Sequence, residues 1–498
     1  MENRGSAQLV ILAATLILST VIRLLPYLAN STFFSTDIWG VVRNTNILVE
    51  HSPISLNSSL FDGYNNYWPT TAIELSVLST LLGAGVFHAI EIAVSAITLS
   101  LTTVLFSLKK GWSGVLAAIV AVSAFNIVLM TGAYTKEGYA YTMLMIILYT
   151  LLKPGRVHPL IMVIPAIALP FTHHLTTLVA TVILYSIIVA WVISFFHQLE
   201  FFRIDPARAI YIAVPLLLSQ LAQYLLLGKY STLAVATQWL ALSLTSYVTV
   251  FSVIGIAISL VTVRLKAPVL RFFTLVFLAS AVAISTVGSL YIYMLDYETL
   301  TATLLIVTPT LLIIAGNVYS REETAVTSII WMTAISGLAI FFIGEEVPGY
   351  ESIVYRVVGF IILIASVGFA ERLKWFQRVS AAVFLAASVT VYALTMTGLT
   401  PTLGWYWNYR ESEVYTGRFL SEKAVGLTVC SDVKQSMMLS GLYKYDATNL
   451  PSCSRSPMLI YGYMWDKGAL VSVGRTVKIW FQEVGGIIFS NGDGFLII

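Results

Sequence analysis

The sequence predicts a polytopic α-helical membrane protein carrying a small exported α/β domain at its C-terminus, and three observations lead there. Hydrophobic residues are 58% of the 498 and charged residues 11%, with a mean hydropathy of +0.84, far more apolar material than a soluble core of this length holds. As far as Thr397 the apolar residues fall in runs of membrane-spanning length. Beyond it Gly, Pro and Tyr become common and short alternating runs read as strands. The net charge of +3, from 28 basic and 25 acidic residues, is too balanced for a nucleic-acid partner.

The first run, Leu9 to Leu28, reads as a retained span, since at about twenty residues it is long for a signal peptide and lacks a small-residue cleavage site. Residues 30–69 then form the one long polar insertion in an otherwise apolar N-terminal half, with Asp37, Arg43, Glu50, His51 and Asp62 set among Trp39, Tyr64, Tyr67 and Trp68. A loop of roughly forty residues is either functional or disordered. The aromatic residues argue for a folded external loop on the membrane surface, with Asp37 just past the first span.

A partly surface-lying helix is expected at 71–82. Spans follow at 86–108, 112–131, 138–152, 157–170, 173–196, 208–227, 247–263, 271–293, 299–316, 325–343, 354–370 and 379–397, about thirteen in all with the first. This gives a membrane domain over 1–397 and an exported domain over 398–498, with strands expected at 424–430, 458–463, 469–473, 477–481 and 486–490.

Lys109, Lys110, Lys153, Arg156, Arg203, Arg208, Arg264, Lys266, Arg271, Arg321, Arg372, Lys374 and Arg378 all fall on alternate loops, and the other loops hold Arg43, Lys136, Lys229 and Arg356. Basic residues concentrate on the cytoplasmic side. The expected orientation in the plasma membrane is therefore a cytoplasmic N-terminus, with the long loop, the Lys136 turn and the C-terminal domain outside. Both cysteines, Cys430 and Cys453, lie in that exported domain, a setting that favours a disulfide over two free thiols.

Charged groups near the hydrocarbon boundary are costly and mark function. On the external side they are Asp37 after the first span, Lys136 and Glu137 in a tight turn, the pair His173 and His174, Asp296 and Glu298, and Arg356 at the start of a later span. Each has a plainer reading. Asp37 would serve as a helix cap, Lys136 and Glu137 as a solvated ion pair, the histidines as interfacial residues bonded to backbone carbonyls, and Asp296 and Glu298 as solvated turn residues. Taken together they describe a pocket in which carboxylates and imidazoles suit a divalent ion such as Mn or Mg, cations suit a phosphate, and a carboxylate base suits group transfer. The sequence has no phosphate-cradling Gly-rich loop, no Cys-x-x-Cys and no His-Glu-x-x-His.

Thr36-Asp37-Ile38-Trp39 after the first span, the long first loop, and Tyr67-Trp68-Pro69 leading to Leu81-Leu82-Gly83 resemble the GT-C class of membrane glycosyltransferases, which use polyprenyl-phosphate-linked sugar donors. In layout the chain is most similar to the single-chain oligosaccharyltransferases. Gly132 to Ala140 resembles their second acidic motif, with Thr135 in place of its Asp, and the Trp-Trp-Asp-Tyr-Gly motif has only Trp405-Tyr406-Trp407-Asn408-Tyr409 as an echo.

The resemblance implies a glycosyltransferase working on the external face. Asp37 and Glu137 would be catalytic; His173, His174, Arg356, Lys136 and Arg43 would bind the donor phosphate or substrate. If a divalent ion takes part, Asp37, Glu137 and His173 would ligate it. The implied partners are a polyprenyl-phosphate-linked donor, membrane lipid, and a protein, lipid or glycan acceptor. Two alternatives stand beside this reading: protein glycosylation of the oligosaccharyltransferase type, and a lipid-linked saccharide flippase or other transporter. The last predicts charged residues inside the spans and paired broken helices.

Overall fold

A computed structural model of the protein describes residues 2–30, 35–51, 68–83, 112–132, 135–153, 155–197, 204–227, 240–264, 269, 271–273, 275–280, 297–318, 323–344, 350–369, 375–397, 408–450, 457–461, 464, 469–472, 475–477, 487–490 and 494–497. The expected span at 86–108, most of that at 271–293, residues 52–67 of the first loop, Asp296, Trp405 to Trp407 and Cys453 lie outside them.

Fourteen helices of the described residues precede the C-terminal region: α1 (Glu2–Asn30), α2 (Ile38–His51), α3 (Thr70–Leu82), α4 (Trp112–Ser123), α5 (Phe125–Thr131), α6 (Lys136–Leu152), α7 (Pro159–Thr172), α8 (His174–His197), α9 (Pro206–Leu227), α10 (Leu240–Arg264), α11 (Tyr297–Val318), α12 (Glu323–Gly344), α13 (Tyr350–Phe369) and α14 (Trp375–Thr397). Six carry stretches long and apolar enough to cross a membrane: Leu9–Leu28, His174–Phe196, Pro206–Leu226, Leu242–Leu260, Thr324–Gly344 and Trp375–Ala393. The chain is thus an α-helical membrane protein. Helix α12 is central, with 89% of its apolar stretch buried against 28% for α10 and 33% for α9. On α9, Tyr211, Val214, Leu217, Leu218, Leu221 and Leu225 face outward, an apolar exterior that suits lipid.

The expected single span at 112–131 is corrected. It breaks at Ala124, whose ψ of 120° leaves the helical region, into α4 and the seven-residue α5. The break leaves the Val122 carbonyl without its usual donor four residues on, and the Arg23 guanidinium of α1 supplies one at 3.0 Å. Away from water such a substitute is obligatory, because an unpaired backbone group costs several kcal/mol (on the order of a hydrogen bond made in an apolar medium).

The C-terminal region contains α15 (Glu411–Lys423), β1 (Val429–Ser431), α16 (Val433–Tyr443), β2 (Ala447–Asn449), β3 (Met458–Tyr461), β4 (Ala469–Ser472), β5 (Arg475–Val477), β6 (Ile487–Ser490) and β7 (Gly494–Ile497). A five-stranded sheet has the order β2-β1-β3-β7-β6, and β4 pairs with β5 separately. Strand β1 is parallel to β2 and β3, while β7 is antiparallel to β3 and β6. Helix α16 is the crossover that a parallel β1–β2 pair needs. Asp432 caps its start by accepting from Gln435 N–H at 3.0 Å, and Lys444 ends it in the left-handed conformation at φ 53°.

The expected strand at 424–430 is corrected to Val429–Ser431, because Ala424 closes α15 and Gly426 turns the chain at φ 86°. Cys430 is fully buried on β1 and disulfide-bonded, in a chain with two cysteines.

This region docks on α2. Ile38, Trp39, Val41 and Val42 form one cluster with Ala72 and Leu75 of α3 and with Tyr409 and Met438. The Trp39 and Tyr409 rings meet edge to face at 5.4 Å. Gly441 is required there: a Cβ on it would lie 2.6 Å from the Trp39 carbonyl oxygen. Helix α2 of the first loop therefore packs between α3 and the C-terminal helix α16.

Candidate functional site

The site begins with the turn between α5 and α6. Thr135, which stands where the resembling motif has an Asp, is the cap of α6: its hydroxyl accepts from Gly138 N–H at 3.0 Å and donates to the Met130 carbonyl at 2.6 Å. A Cβ on Gly138 would lie 2.9 Å from that same Met130 oxygen, so only glycine lets α6 start this close to α5. Glu137 is thereby held in the first helical turn, where the helix dipole favours a carboxylate. It is buried, with the Tyr141 hydroxyl donating to its Oε1 at 3.0 Å.

Arg356, near the start of α13, joins this carboxylate to the first loop. Its Nη2 donates to Asp37 Oδ2 at 2.9 Å, and its Nη1 lies 3.2 Å from Glu137 Oε2. The fork of a guanidinium matches two acceptors in this way. The side chains grade from Asp37, 29% exposed, through Arg356 at 16%, to Glu137 at 3%. Asp37 is the reachable carboxylate and Glu137 the buried anchor. Two residues before Asp37, Ser35 has φ 88°, a region that costs a non-glycine residue roughly 1–3 kcal/mol and that clusters at functional sites. The Asp37 N–H donates to Ser35 Oγ at 3.2 Å, fixing the turn.

The two histidines meet the same group. His173 lies at the junction of α7 and α8, where its extended backbone (φ −158°, ψ 125°) separates the helices. Its Nδ1 accepts from Thr176 N–H at 3.4 Å and lies 2.9 Å from Thr176 Oγ1. Its Nε2 lies 3.9 Å from Glu137 Oε2. The His173 and His174 rings are 4.9 Å apart, the Trp68 ring lies 4.8 Å from His174, and Lys136 Nζ sits 5.1 Å above the Trp68 ring. Asp37, Lys136, Glu137, His173, His174 and Arg356 thus come from four separate stretches of chain to one end of the bundle. Arg43 does not join them; its Nη1 donates to Ser440 Oγ at 3.2 Å, on the face that receives the C-terminal region. At the other end of α6, Arg208 donates to the carbonyls of Thr150, Lys153 and Gly155.

As arranged, the residues expected to ligate a divalent ion do not fit one. The guanidinium occupies the space between the facing oxygens of Asp37 and Glu137, at 2.9 and 3.2 Å, and His173 Nε2 is 3.9 Å from Glu137 Oε2. Among the described residues no three His, Cys, Asp or Glu side chains gather in a way that would hold a metal ion.

Arg23 adds a third cation near this end. It is fully buried on α1 and donates to Ser19 O and Oγ at 3.1 and 2.7 Å, Thr131 Oγ1 at 2.8 Å and Val122 O at 3.0 Å. Thr131 in turn lies 3.4 Å from where a Gly138 Cβ would be, so Arg23 braces the back of the turn that carries Glu137. A lone charge inside an apolar run is itself a signal, but a count of charges by loop passes over it. Tyr409, which bonds Thr36 Oγ1 at 3.3 Å beside Asp37, carries no comparable sequence signal. No protein-family model matches the chain, and a search of curated proteins gives no match.

Proposed function

We propose that this protein is an integral-membrane glycosyltransferase that moves a sugar from a polyprenyl-phosphate-linked donor to an acceptor on the external face. The observation that carries the reading is the Arg356 bridge between Asp37 and Glu137, set beside the His173, His174, Trp68 and Lys136 group. A reachable carboxylate, buried supports and two cations at the end of a helical bundle are what transfer from a lipid phosphate needs.

In this reading the lipid tail stays among the spans. The acceptor hydroxyl or amide attacks the anomeric carbon and loses its proton to the Asp37 carboxylate. The bond from that carbon to the phosphate oxygen breaks, and its electron pair leaves with the lipid phosphate. Lys136 and Arg356 offset the negative charge that builds on the leaving group. Glu137 and Tyr141 hold Arg356 in place, and His173 closes the wall behind them. The basic loops around Lys153 and Arg208 face the cytoplasm, about thirteen spans cross the membrane, and the C-terminal sheet stands outside over the site.

A second reading, transport of a lipid-linked saccharide, draws on a buried cation within the first span and on helices that break at Ala124 and His173. One experiment separates the two. Purified protein in sealed vesicles is given a radiolabelled polyprenyl-phosphate sugar and extracts containing candidate acceptors. Transfer predicts label leaving the lipid for an acceptor. Label that crosses the bilayer while still on its lipid contradicts transfer and supports transport.

A further inference from the structure

The bridge across the site has a consequence for the donor. Where a divalent ion binds phosphate on carboxylates, it needs oxygen ligands within about 2.1–2.6 Å, from one or two carboxylates. Here Asp37 Oδ2 and Glu137 Oε2 both face the guanidinium, at 2.9 and 3.2 Å. Glu137 Oε1 is taken by the Tyr141 hydroxyl at 3.0 Å. Three of the four carboxylate oxygens therefore have partners other than a metal. The fixed, planar, permanently charged guanidinium is set between the carboxylates, where an ion would sit. Lys136, next to Glu137 in the chain and with its Nζ 5.1 Å above the Trp68 ring, is a further cation at the same end of the bundle.

We propose that Arg356 takes the place of a divalent cation, so that the site accepts a lipid monophosphate-linked sugar without metal and discriminates against diphosphate-linked ones. The inference rests on the glycosyltransferase reading above. A phosphodiester donor carries one negative charge and its leaving group gains one more, which the Arg356 guanidinium and the Lys136 ammonium would meet. A diphosphate brings an additional charge, and its chelating oxygens favour a divalent ion held by carboxylates, the ligands that Arg356 occupies.

The test uses the full chain in lipid nanodiscs with three probes: farnesyl phosphate, farnesyl diphosphate, and Mn2+ alone. Calorimetry in the presence of chelator should show farnesyl phosphate binding at least about tenfold tighter than the diphosphate, unchanged when Mn2+ replaces chelator, and weakened about tenfold or more in Arg356→Lys, which keeps charge and loses the fork. Electron paramagnetic resonance should find no Mn2+ held by Asp37 in the wild type. In Arg356→Ala it should find a Mn2+ ion that disappears on adding Asp37→Asn. Binding of either lipid only with Mn2+, or a wild-type Mn2+ signal lost in Asp37→Asn, overturns the proposal and leaves the transferase reading standing. Failure of both lipids to bind under every condition overturns the two together. Should Arg356→Ala fail to fold, the wild-type and Arg356→Lys measurements decide.

Discussion

Two clusters in this molecule pair a cation with carboxylates out of bulk water, and they are built differently. In the C-terminal region Lys434 and Glu413 are each 1% exposed. Lys434 Nζ uses its three donors on Glu413 Oε1 at 2.7 Å, Glu413 Oε2 at 3.0 Å and the Asn408 carbonyl at 3.1 Å. Glu413 also receives the Arg410 N–H at 2.7 Å and the Gln435 amide, and the Tyr409 ring covers the ammonium at 4.8 Å. At the bundle end, by contrast, Glu137 Oε2 is near Arg356 but lacks an aligned hydrogen bond, and a buried nitrogen of His174 has no partner among the described residues. In the first cluster all three Lys434 donors and both Glu413 oxygens are engaged, as a buried structural pair requires. The second is open to solvent at Asp37, 29% exposed.

Breaking the closed cluster should have the largest effect on folding. Lys434→Ala leaves Glu413 buried and unpaired, and the expected loss is about 3–5 kcal/mol, read as a fall in the unfolding midpoint of the C-terminal region. Replacing both members, Lys434→Met with Glu413→Leu, should recover most of it. A single variant as stable as the wild type would show that the closed cluster is not structural.

The next effect tests whether the back of the open cluster is braced by Arg23. Arg23→Met removes the donor from the Val122 carbonyl, at an expected cost of about 1–3 kcal/mol for the group left unsatisfied. It should also loosen the turn at Gly138, seen as faster amide exchange over 131–138. A change in stability without faster exchange there would separate Arg23 from the site.

The smallest effect belongs to an exposed pair that belongs to neither cluster. Lys444 Nζ bonds Glu50 Oε1 at 2.7 Å, clasping the C-terminal region to α2, and that hydrogen bond lowers the Glu50 carboxyl below its usual 4.5. A lowered folded-state value means the contribution is present above that usual value and fades as pH falls through the lowered one. Wild type and Glu50→Gln should therefore differ slightly in unfolding midpoint near neutral pH, less in high salt, and converge in acid. A difference that grows in acid would contradict this.

Much of this was legible in sequence, and the limits have physical causes. Apolar runs at 173–196, 208–227 and 325–343 gave helices within a few residues because a span needs its length in apolar side chains. The break at Ala124 was hidden, since neither Gly nor Pro marks it and its replacement donor, Arg23, lies 99 positions away. Asp37, Glu137, His173, His174 and Arg356 stand out as costly charges at span ends, but their common placement depends on helix packing. Arg43, alike in charge and loop position, turns to Ser440 because α2 presents it to the C-terminal region. In that region β2 and β7 are short and follow no alternating run, and their pairing is set by the sheet.

The central claim, that Asp37 is the working carboxylate of the open cluster, is tested most directly by transfer from a polyprenyl-phosphate-linked sugar by Asp37→Asn protein whose unfolding midpoint matches the wild type. Asn keeps the size and most of the hydrogen bonding and caps a helix about as well as Asp, so folding should be retained. The expected result is a fall in transfer of roughly a hundredfold or more, while transfer at the wild-type rate would contradict the assignment.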